Sequence, residues 1–229
     1  MPKNNVEYGN DSIKQLKGPD QVRLRPAVIF GSDGLDGCQH SVFEIISNSI
    51  DEAREGYGNK IVITKYTDGS IEVQDFGRGA PVDYNAKEEQ YNYVLLFESL
   101  YAGGKYANND SGAAYEYSLG LNGLGACATQ YSSEYMDVIS CSGGVTSSIH
   151  FKKGEPGSEL EQEPIPGKKP RTGTTVKWRP DLEVFTDTAI PRAFFLDTLK
   201  KQAVVNAGIT FVLRFEEEGG KFSEESFLY

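Results

Sequence analysis

The clearest periodic pattern of apolar residues in the chain predicts a helix over residues 38–54. Each helical residue advances about 100°, so the apolar positions form one core-facing stripe. This stripe contains Val42, Phe43, Ile46, Ile50 and Ala53. The opposite, polar stripe contains His40, Glu44, Asn48 and Asp51. A solvated face is the ordinary interpretation of such a stripe, but this one has no basic partner at i+4 and mixes residue types. A functional role therefore stays open beside the ordinary one.

Alternation of apolar and polar residues predicts strands over 60–66 and 71–74, joined by an Asp-Gly turn as a β-hairpin. Further strands are predicted over 135–141, 145–151, 173–178 and 210–216. Further helices are predicted over 13–22, 90–100, 126–133 and 194–206. The glycine-rich segment 101–125 is typical of a binding loop or lid, and 152–170 of a surface excursion. Hairpins dominate, so we expect an α+β fold with helices on one face of a mixed, mostly antiparallel sheet.

Composition adds few further constraints. The chain has 229 residues, 38% of them hydrophobic, which fits one domain over 13–229 behind a polar N-terminal arm over 1–12. The net charge is -10, and the sequence lacks the basic stripe that binding to a DNA backbone requires. This segment is therefore not expected to be a strong DNA binder. No apolar run reaches the length of a membrane span, and the N-terminus does not resemble a signal peptide. Three cysteines without CxxC spacing fit free thiols in a cytoplasmic protein.

Three groups of residues suggest chemistry. On the predicted helix, the Glu44 carboxylate could orient a water molecule, His40 could orient that carboxylate, and Asn48 could hold Mg²⁺. Asp75 ends a strand just before a turn on two glycines, where it could accept a hydrogen bond from an exocyclic amino group. The alternative is an aspartate that merely caps the turn. The third group is GLNGLG over 120–125, a pattern that can bind phosphate through backbone N–H groups at a helix start. It matches neither the dinucleotide fingerprint nor a P-loop.

Taken in order, the segments FEIISNSIDEA, VQDFGRGAP, YAGGKY, YSLGLNGLGA and TGTTVKW resemble the GHKL ATPase family. The flanking segments SIKQLKGPDQVRLRP and LYAGGKY are similar to B subunits of bacterial type II topoisomerases, with gyrase favoured over topoisomerase IV. The resemblance runs from Tyr8 to Tyr229. It implies the Bergerat fold, and Mg²⁺-dependent binding and hydrolysis of ATP that drives DNA strand passage.

The resemblance also implies residue roles. Glu44 would be the general base, assisted by His40, and Asn48 would ligate Mg²⁺. Asp75 would accept the adenine amino group, helped by Thr174 through an ordered water. The other nucleotide-contacting residues of the pocket would be Glu52, Gly77, Arg78, Gly79 and Pro81, with Glu52 and Arg78 bracing its mouth. The lid would contribute Gly103, Gly104, Lys105, Tyr115, Gly120, Leu121, Gly123, Leu124 and Gly125. Tyr8 would reach the nucleotide of a partner subunit.

Implied partners are a topoisomerase A subunit, DNA, and a second B subunit in an ATP-dependent homodimer. Aminocoumarin-type inhibitors would bind at the adenine pocket. The family completes its site with a lysine from a following transducer domain, so we expect low turnover from this segment alone. Ser47, Phe76 and Cys141 depart from the pattern of the family. Two alternatives remain: a non-hydrolysing ATP-gated interaction module, and a chaperone or mismatch-repair member of the same superfamily.

Overall fold

A computed structural model describes residues 15–102 and 123–229 of the protein. Its helices are α1 Asp20–Arg23, α2 Pro26–Phe30, α3 Leu35–Arg54, α4 Asn92–Phe97, α5 Gly125–Tyr131 and α6 Arg192–Val205. The first strands are β1 Lys60–Lys65, β2 Ile71–Asp75, β3 Tyr84–Asn85, β4 Gln90–Tyr91, β5 Ser133–Ser142 and β6 Val145–Lys152. The remaining strands are β7 Glu155–Pro156, β8 Glu161–Pro164, β9 Gly173–Pro180, β10 Thr210–Glu216 and β11 Phe222–Phe227.

The main sheet has the strand order β11-β10-β1-β2-β9-β5-β6-β7, and β8 also pairs with β6. Its described pairs are antiparallel except β1 with β10, which run parallel. The strands β3 and β4 form a separate hairpin. The predicted α+β fold with a mixed, mostly antiparallel sheet is therefore confirmed.

Strand register places the apolar side chains of the sheet on one face. A continuous row of paired positions crosses six strands and contains Leu213, Ile63, Val73, Val176, Val138 and Ile149. All six are buried in one hydrophobic cluster, to which α3 contributes Val42, Ile46 and Ile50. Successive side chains of a strand alternate between the two faces, and the opposite face carries polar residues such as Glu72, Lys177 and Asp137 beside apolar ones such as Val62 and Ile139.

The helical predictions were right in position and differ at the ends. The helix predicted over 38–54 begins earlier, at Leu35. Of the helix predicted over 13–22, only α1 is helical in the part of that range that the structure describes. The prediction missed α2, which begins at a proline, a residue whose fixed φ suits a first helical turn. The prediction over 90–100 was too long, because Gln90–Tyr91 forms β4 and the helix ends at Phe97.

Two parts of the sheet were not predicted. The segment 152–170 was expected to be a surface excursion, but it contains β7 and β8, which both pair with β6. The edge strand β11 was also missed, because its alternation consists of polar and acidic residues with few apolar ones. Backbone pairing with a neighbouring strand, rather than burial of side chains, defines these short elements.

The arm predicted over 1–12 lies outside the described residues. No helix within 15–102 or 123–229 combines the length and apolar character that a membrane span requires.

The packing of α6 gives a direct test of the fold. Phe195 is fully buried in the core, whereas Val204 on the same helix is 58% exposed. We expect Phe195→Ala to lower the free energy of unfolding by about 3 kcal/mol or more, because it leaves a cavity. Val204→Ala should change it by less than about 0.5 kcal/mol. Urea unfolding followed by circular dichroism measures both, and equal midpoints for the two variants would contradict this packing.

Candidate functional site

The helix α3 carries four polar residues spaced four apart: His40, Glu44, Asn48 and Glu52. At a rise of 1.5 Å per residue this row extends over about 18 Å. Asn48 is exposed, and Glu44 and Glu52 are partly buried. Asp51, which was predicted on the same polar stripe, is fully buried instead. The C-terminal turn of α3 is joined to the end of α6, since Arg54 Nε donates a hydrogen bond to Asn206 Oδ1 at 2.7 Å.

The core-facing side of the sheet becomes polar at one end. Two residues along from the apolar row, Ile61 pairs with Asp75 and Ser140 pairs with both Thr174 and Ser147. Polar side chains thus follow one another across β2, β9, β5 and β6, in the same layer as the hydrophobic core. A polar row in this layer is costly unless its groups are hydrogen-bonded, so its partners matter.

Asp75 is the centre of this polar row, and it is only 9% exposed. Its Oδ1 accepts hydrogen bonds from the backbone N–H groups of Gly77 at 3.0 Å and Thr174 at 3.1 Å. Its Oδ2 accepts one from Ser49 Oγ at 3.1 Å. Burial raises the pKa of the Asp75 carboxyl above its ordinary value, although these three hydrogen bonds act in the opposite direction. The aspartate therefore joins β2, β9 and α3.

The loop after Asp75 is fixed to α3 by the Glu52 carboxylate. Glu52 Oε1 accepts hydrogen bonds from the backbone N–H and the Nε of Arg78, and Oε2 accepts one from its terminal nitrogen, all at 2.8 Å. The Arg78 guanidinium also lies 3.8 Å from the centre of the Tyr57 ring. The predicted pair of Glu52 and Arg78 is thus brought together, with a tyrosine that was not predicted to take part.

The far end of the same loop is fixed to the sheet. Thr174 Oγ1 accepts a hydrogen bond from the backbone N–H of Ala80 at 2.9 Å, and Ser140 Oγ donates one to the Ala80 carbonyl at 2.7 Å. Gly79 has a left-handed backbone, and a Cβ there would overlap the carbonyl of Cys141. The close approach that requires glycine is therefore an approach to β5. An additional approach of Gly77 and Gly79 to a nucleotide stays a prediction.

Glu44 lies between a histidine and the start of α5. Its Oε1 is 3.1 Å from His40 Nε2, while His40 Nδ1 is 3.1 Å from the carbonyl of Phe30. A carbonyl can only accept, so Nδ1 is the nitrogen that donates to Phe30, and Nε2 faces the Glu44 carboxylate. A Cβ on Gly125 would overlap the Glu44 carboxylate. Both neighbours therefore fix the direction of this carboxylate.

Within the described residues, no group of three or more histidine, cysteine or acidic side chains could hold a metal ion by itself. This does not conflict with Mg²⁺, which commonly takes one or two protein oxygens and completes its shell with water and phosphates. The exposed carboxamide of Asn48, one turn after the Glu44 carboxylate, is such a donor. The residues present fit a cation that arrives with a phosphate ligand.

A groove of about 370 Å³ lies on the opposite face of the sheet. Its volume is in the range of ligand sites, but several of its side chains already have partners. Asp137 Oδ1 is 2.6 Å from His150 Nδ1, and Glu72 accepts a hydrogen bond from the Tyr66 hydroxyl at 3.2 Å. We assign the candidate site to the polar row around Asp75 and the facing edge of α3.

The structure brings together most of the predicted site residues that it describes. Thr174 lies beside Asp75, Pro81 is exposed after the loop, and Gly123 and Leu124 precede α5. The predicted residues outside the described part of the chain are Tyr8, Gly103, Gly104, Lys105, Tyr115, Gly120 and Leu121. The roles of Ser49, Ser140 and Tyr57 were not predicted. The only signal for Ser49 was a serine at an otherwise apolar helix position.

Comparison with known proteins gives close relatives. No family model matches the chain. It is 34% identical over 211 residues to the B subunit of DNA gyrase from Thermotoga maritima, covering 92% of this chain and 32% of that protein. It is 36% identical over 224 residues to the B subunit of DNA gyrase from Streptococcus pyogenes, covering 97% and 33%. It is 35% identical over 213 residues to the B subunit of the type 2 topoisomerase from Aquifex aeolicus, covering 93% and 26%. The chain thus spans a third or less of the length of these relatives.

The contact of Gly125 with Glu44 can be tested without a ligand. We expect Gly125→Ala to displace the Glu44 carboxylate from His40, because the added methyl group needs the same space. The ¹⁵N resonances of the His40 imidazole should then shift toward those of Glu44→Gln, which serves as the reference for a ring without a carboxylate partner. Resonances that stay at their wild-type positions in Gly125→Ala would contradict the close packing of α5 on Glu44.

Proposed function

The chain belongs to the family of type II topoisomerase B subunits over the segment it shares with them, and from this premise we propose that it binds and hydrolyses ATP. The ATP would lie between α3 and the polar end of the sheet. The Asp75 carboxylate would accept the adenine amino group, and the Glu44 end of α3 would face the γ-phosphate.

The burial of Asp75 and its hydrogen bonds are the observation that supports this proposal most directly. A carboxylate can accept about four hydrogen bonds, and Asp75 receives three from Gly77, Thr174 and Ser49. One position therefore remains at Oδ2 for an amino group. A carboxylate that only capped its own turn would not need to be buried in the core layer or held by α3 and β9 as well. The buried acceptor supports recognition of a flat base that carries an exocyclic amine.

The position of Glu44 supports the chemical step. Glu44 would take a proton from a water molecule while the water oxygen forms a bond to the γ-phosphorus, and ADP leaves with the electrons of the broken P–O bond. Such transfers depend mainly on positioning and on stabilisation of charge. His40 and Gly125 supply the positioning of the base, because they restrict the carboxylate from two sides.

Asn48 would hold the Mg²⁺ that accompanies ATP. When bound, this ion neutralises negative charge on the phosphates as the terminal bond breaks. Asn48 would keep the phosphates near Glu44, since the two side chains are one helical turn apart. The predicted lid residues would enclose the triphosphate, and a transducer lysine would complete the site.

At the scale of the whole protein, we propose that ATP binding and turnover drive the passage of one DNA segment through another, in the cytoplasm. The partners would be a topoisomerase A subunit, DNA, and a second B subunit in an ATP-dependent homodimer. Gyrase is favoured over topoisomerase IV, because gyrase B subunits are prominent among the similar proteins. Aminocoumarin-type inhibitors would compete for the pocket around Asp75.

Glu44→Gln tests the role of the base. We expect the intact protein to hydrolyse ATP about 10²- to 10⁴-fold more slowly, the usual range for loss of a general base, with nearly unchanged nucleotide affinity. The measurement is steady-state phosphate release alongside titration with a fluorescent nucleotide. Glu72→Gln, on the outer face of the sheet, is the control. Parental turnover in Glu44→Gln would refute the assignment, and no turnover in the parent protein would favour an ATP-gated interaction module.

Asp75→Asn tests recognition of the base. The amide oxygen can still accept from Gly77 and Thr174 while its nitrogen donates to Ser49, so the fold should persist. Affinity for ATP should fall on the order of tenfold to a hundredfold, because a hydrogen bond to a charged group is lost. Titration by calorimetry measures this, with Asp137→Asn on the outer face as the control. Unchanged affinity in Asp75→Asn would contradict the adenine role.

The pKa of Asp75 adds a pH dependence of known sign. Binding needs the ionised carboxylate, so affinity should increase as pH rises through the raised pKa, and that increase should be absent in Asp75→Asn. The effect of Asp75 on folding stability has the opposite dependence on pH. When the pKa is higher in the folded state than in the unfolded state, the group stabilises the fold fully below the unfolded pKa, and this stabilisation is lost as pH rises through the folded pKa. At neutral pH, Asp75→Asn should therefore unfold at a urea concentration no lower than that of the parent.

A further inference from the structure

Three tyrosines form a row of ring contacts at the small hairpin β3–β4: Tyr84 and Tyr91 lie on its two strands, and Tyr93 lies in the first turn of α4. Tyr93 packs against the hydrophobic core. Tyr91 stacks on Tyr93 with ring centres 5.6 Å apart, and Tyr84 meets Tyr91 edge-on at 5.5 Å. Tyr84 is 57% exposed and Tyr91 is 44% exposed. The rings therefore continue from the core into solvent, where large apolar side chains in a group usually mark an interaction surface.

Hydrogen bonds hold this hairpin in one shape. Asn85 Nδ2 donates to Asn92 Oδ1 at 2.9 Å, and the backbone N–H of Asn92 donates to the Asp83 carbonyl at 2.8 Å. Gln162 on β8 donates to Asp83 Oδ1 at 2.7 Å. A two-stranded hairpin alone is only marginally stable, so these contacts preorganise the exposed rings. A preorganised surface loses little entropy when it binds a partner.

Carboxylates surround the tyrosines. Asp83, Glu88 and Glu89 are exposed on the same hairpin, where Lys87 is the single basic residue between residues 83 and 98. Glu98 and Glu159 lie close enough to Tyr93 to raise the pKa of its hydroxyl, after burial, which is the larger cause. A phosphate backbone would be repelled by this set of charges. A cationic partner would be attracted by both the carboxylates and the faces of the rings.

The same combination of a tyrosine ring and a carboxylate holds an arginine at two other places in the described part of the chain. Arg78 lies over Tyr57 and is held by Glu52. Arg179 lies 5.5 Å from the centre of the Tyr135 ring and is held by Glu134 at 2.6 and 2.7 Å. In contrast, within 15–102 and 123–229, no arginine or lysine lies over Tyr84, Tyr91 or Tyr93. The hairpin has the tyrosines and carboxylates of an arginine site without an arginine from the described residues.

We propose that Tyr84, Tyr91 and Tyr93, together with Asp83, Glu88 and Glu89, form a docking surface for an arginine-bearing basic segment of a protein partner. The planar guanidinium would stack on the rings and donate two parallel hydrogen bonds to a carboxylate, which the ammonium of lysine cannot do. The surface uses none of the residues of the polar row around Asp75, and the proposal does not depend on ATP binding.

Fluorescence anisotropy with labelled probes tests this proposal. The probes are a decapeptide of alternating glycine and arginine, the same peptide with lysine for arginine, and a single-stranded oligothymidylate. We expect the arginine peptide to bind about threefold or more tightly than the lysine peptide, and the oligothymidylate not to bind at this surface. The double variant Tyr84→Ala with Tyr91→Ala should bind the arginine peptide roughly fivefold more weakly, since two cation–π contacts are lost.

Matched variants separate this surface from general attraction to an acidic protein. Tyr84→Phe with Tyr91→Phe keeps the rings and should retain binding, and Tyr229→Ala removes an exposed tyrosine elsewhere and should have no effect. Glu88→Gln with Glu89→Gln should weaken binding more than Glu218→Gln. If the alanine variants show no cooperative unfolding in urea, and so do not fold, the variants of Glu88 and Glu89 decide the test instead. Three results would overturn the proposal. They are equal affinity for the arginine and lysine peptides, equal affinity of the double alanine and double phenylalanine variants for the arginine peptide, and oligothymidylate binding that depends on Tyr84 and Tyr91.

Discussion

The hydrogen bonds of Asp75 are the constraint on which the rest of the site depends. One carboxylate receives donors from its own loop, from β9 and from α3, so that the sheet and the helix are held together at a polar point inside an otherwise apolar layer. Because a buried acid is costly without partners, this arrangement fixes the spacing between the strand end and the helix. The positions of Glu44, Asn48 and Glu52 follow from it, since all three share the rigid frame of α3.

Much of this arrangement could be predicted from the chain itself. The helix α3, the hairpin of β1 and β2, and the strand-end position of Asp75 follow from periodicity and turn residues. The neighbours of Asp75 could not be predicted in this way, because they depend on strand register. Periodicity does not reveal that β9 lies between β2 and β5, or that Ser140 continues the polar row, and Thr174 was expected near Asp75 only through the resemblance to the family. The edge strand β11 and the short strands β7 and β8 escaped prediction for a related reason, since pairing alone defines them.

The two ends of the loop after Asp75 are held in different ways. At Arg78 the contact is an ion pair with a stacked tyrosine, whereas at Ala80 both backbone groups bond to side-chain hydroxyls, of which that of Ser140 belongs to a buried residue. The first contact is partly exposed and is weakened by salt. The second consists of hydrogen bonds between uncharged groups, which salt weakens little. The two ends of this loop should therefore respond differently to ionic strength.

The parallel pairing of β1 with β10 has a consequence for how the protein is made. Lys60 in β1 pairs with Thr210 in β10, so one edge of β1 has no native partner until the last part of this segment has been synthesised. At usual translation rates that interval is on the order of ten seconds. During it, an apolar strand edge is open to other nascent chains. The docking of β10, followed by that of β11 along its other edge, would therefore be a late step in the folding of this sheet on the ribosome, and one that depends on chaperones and on translation speed.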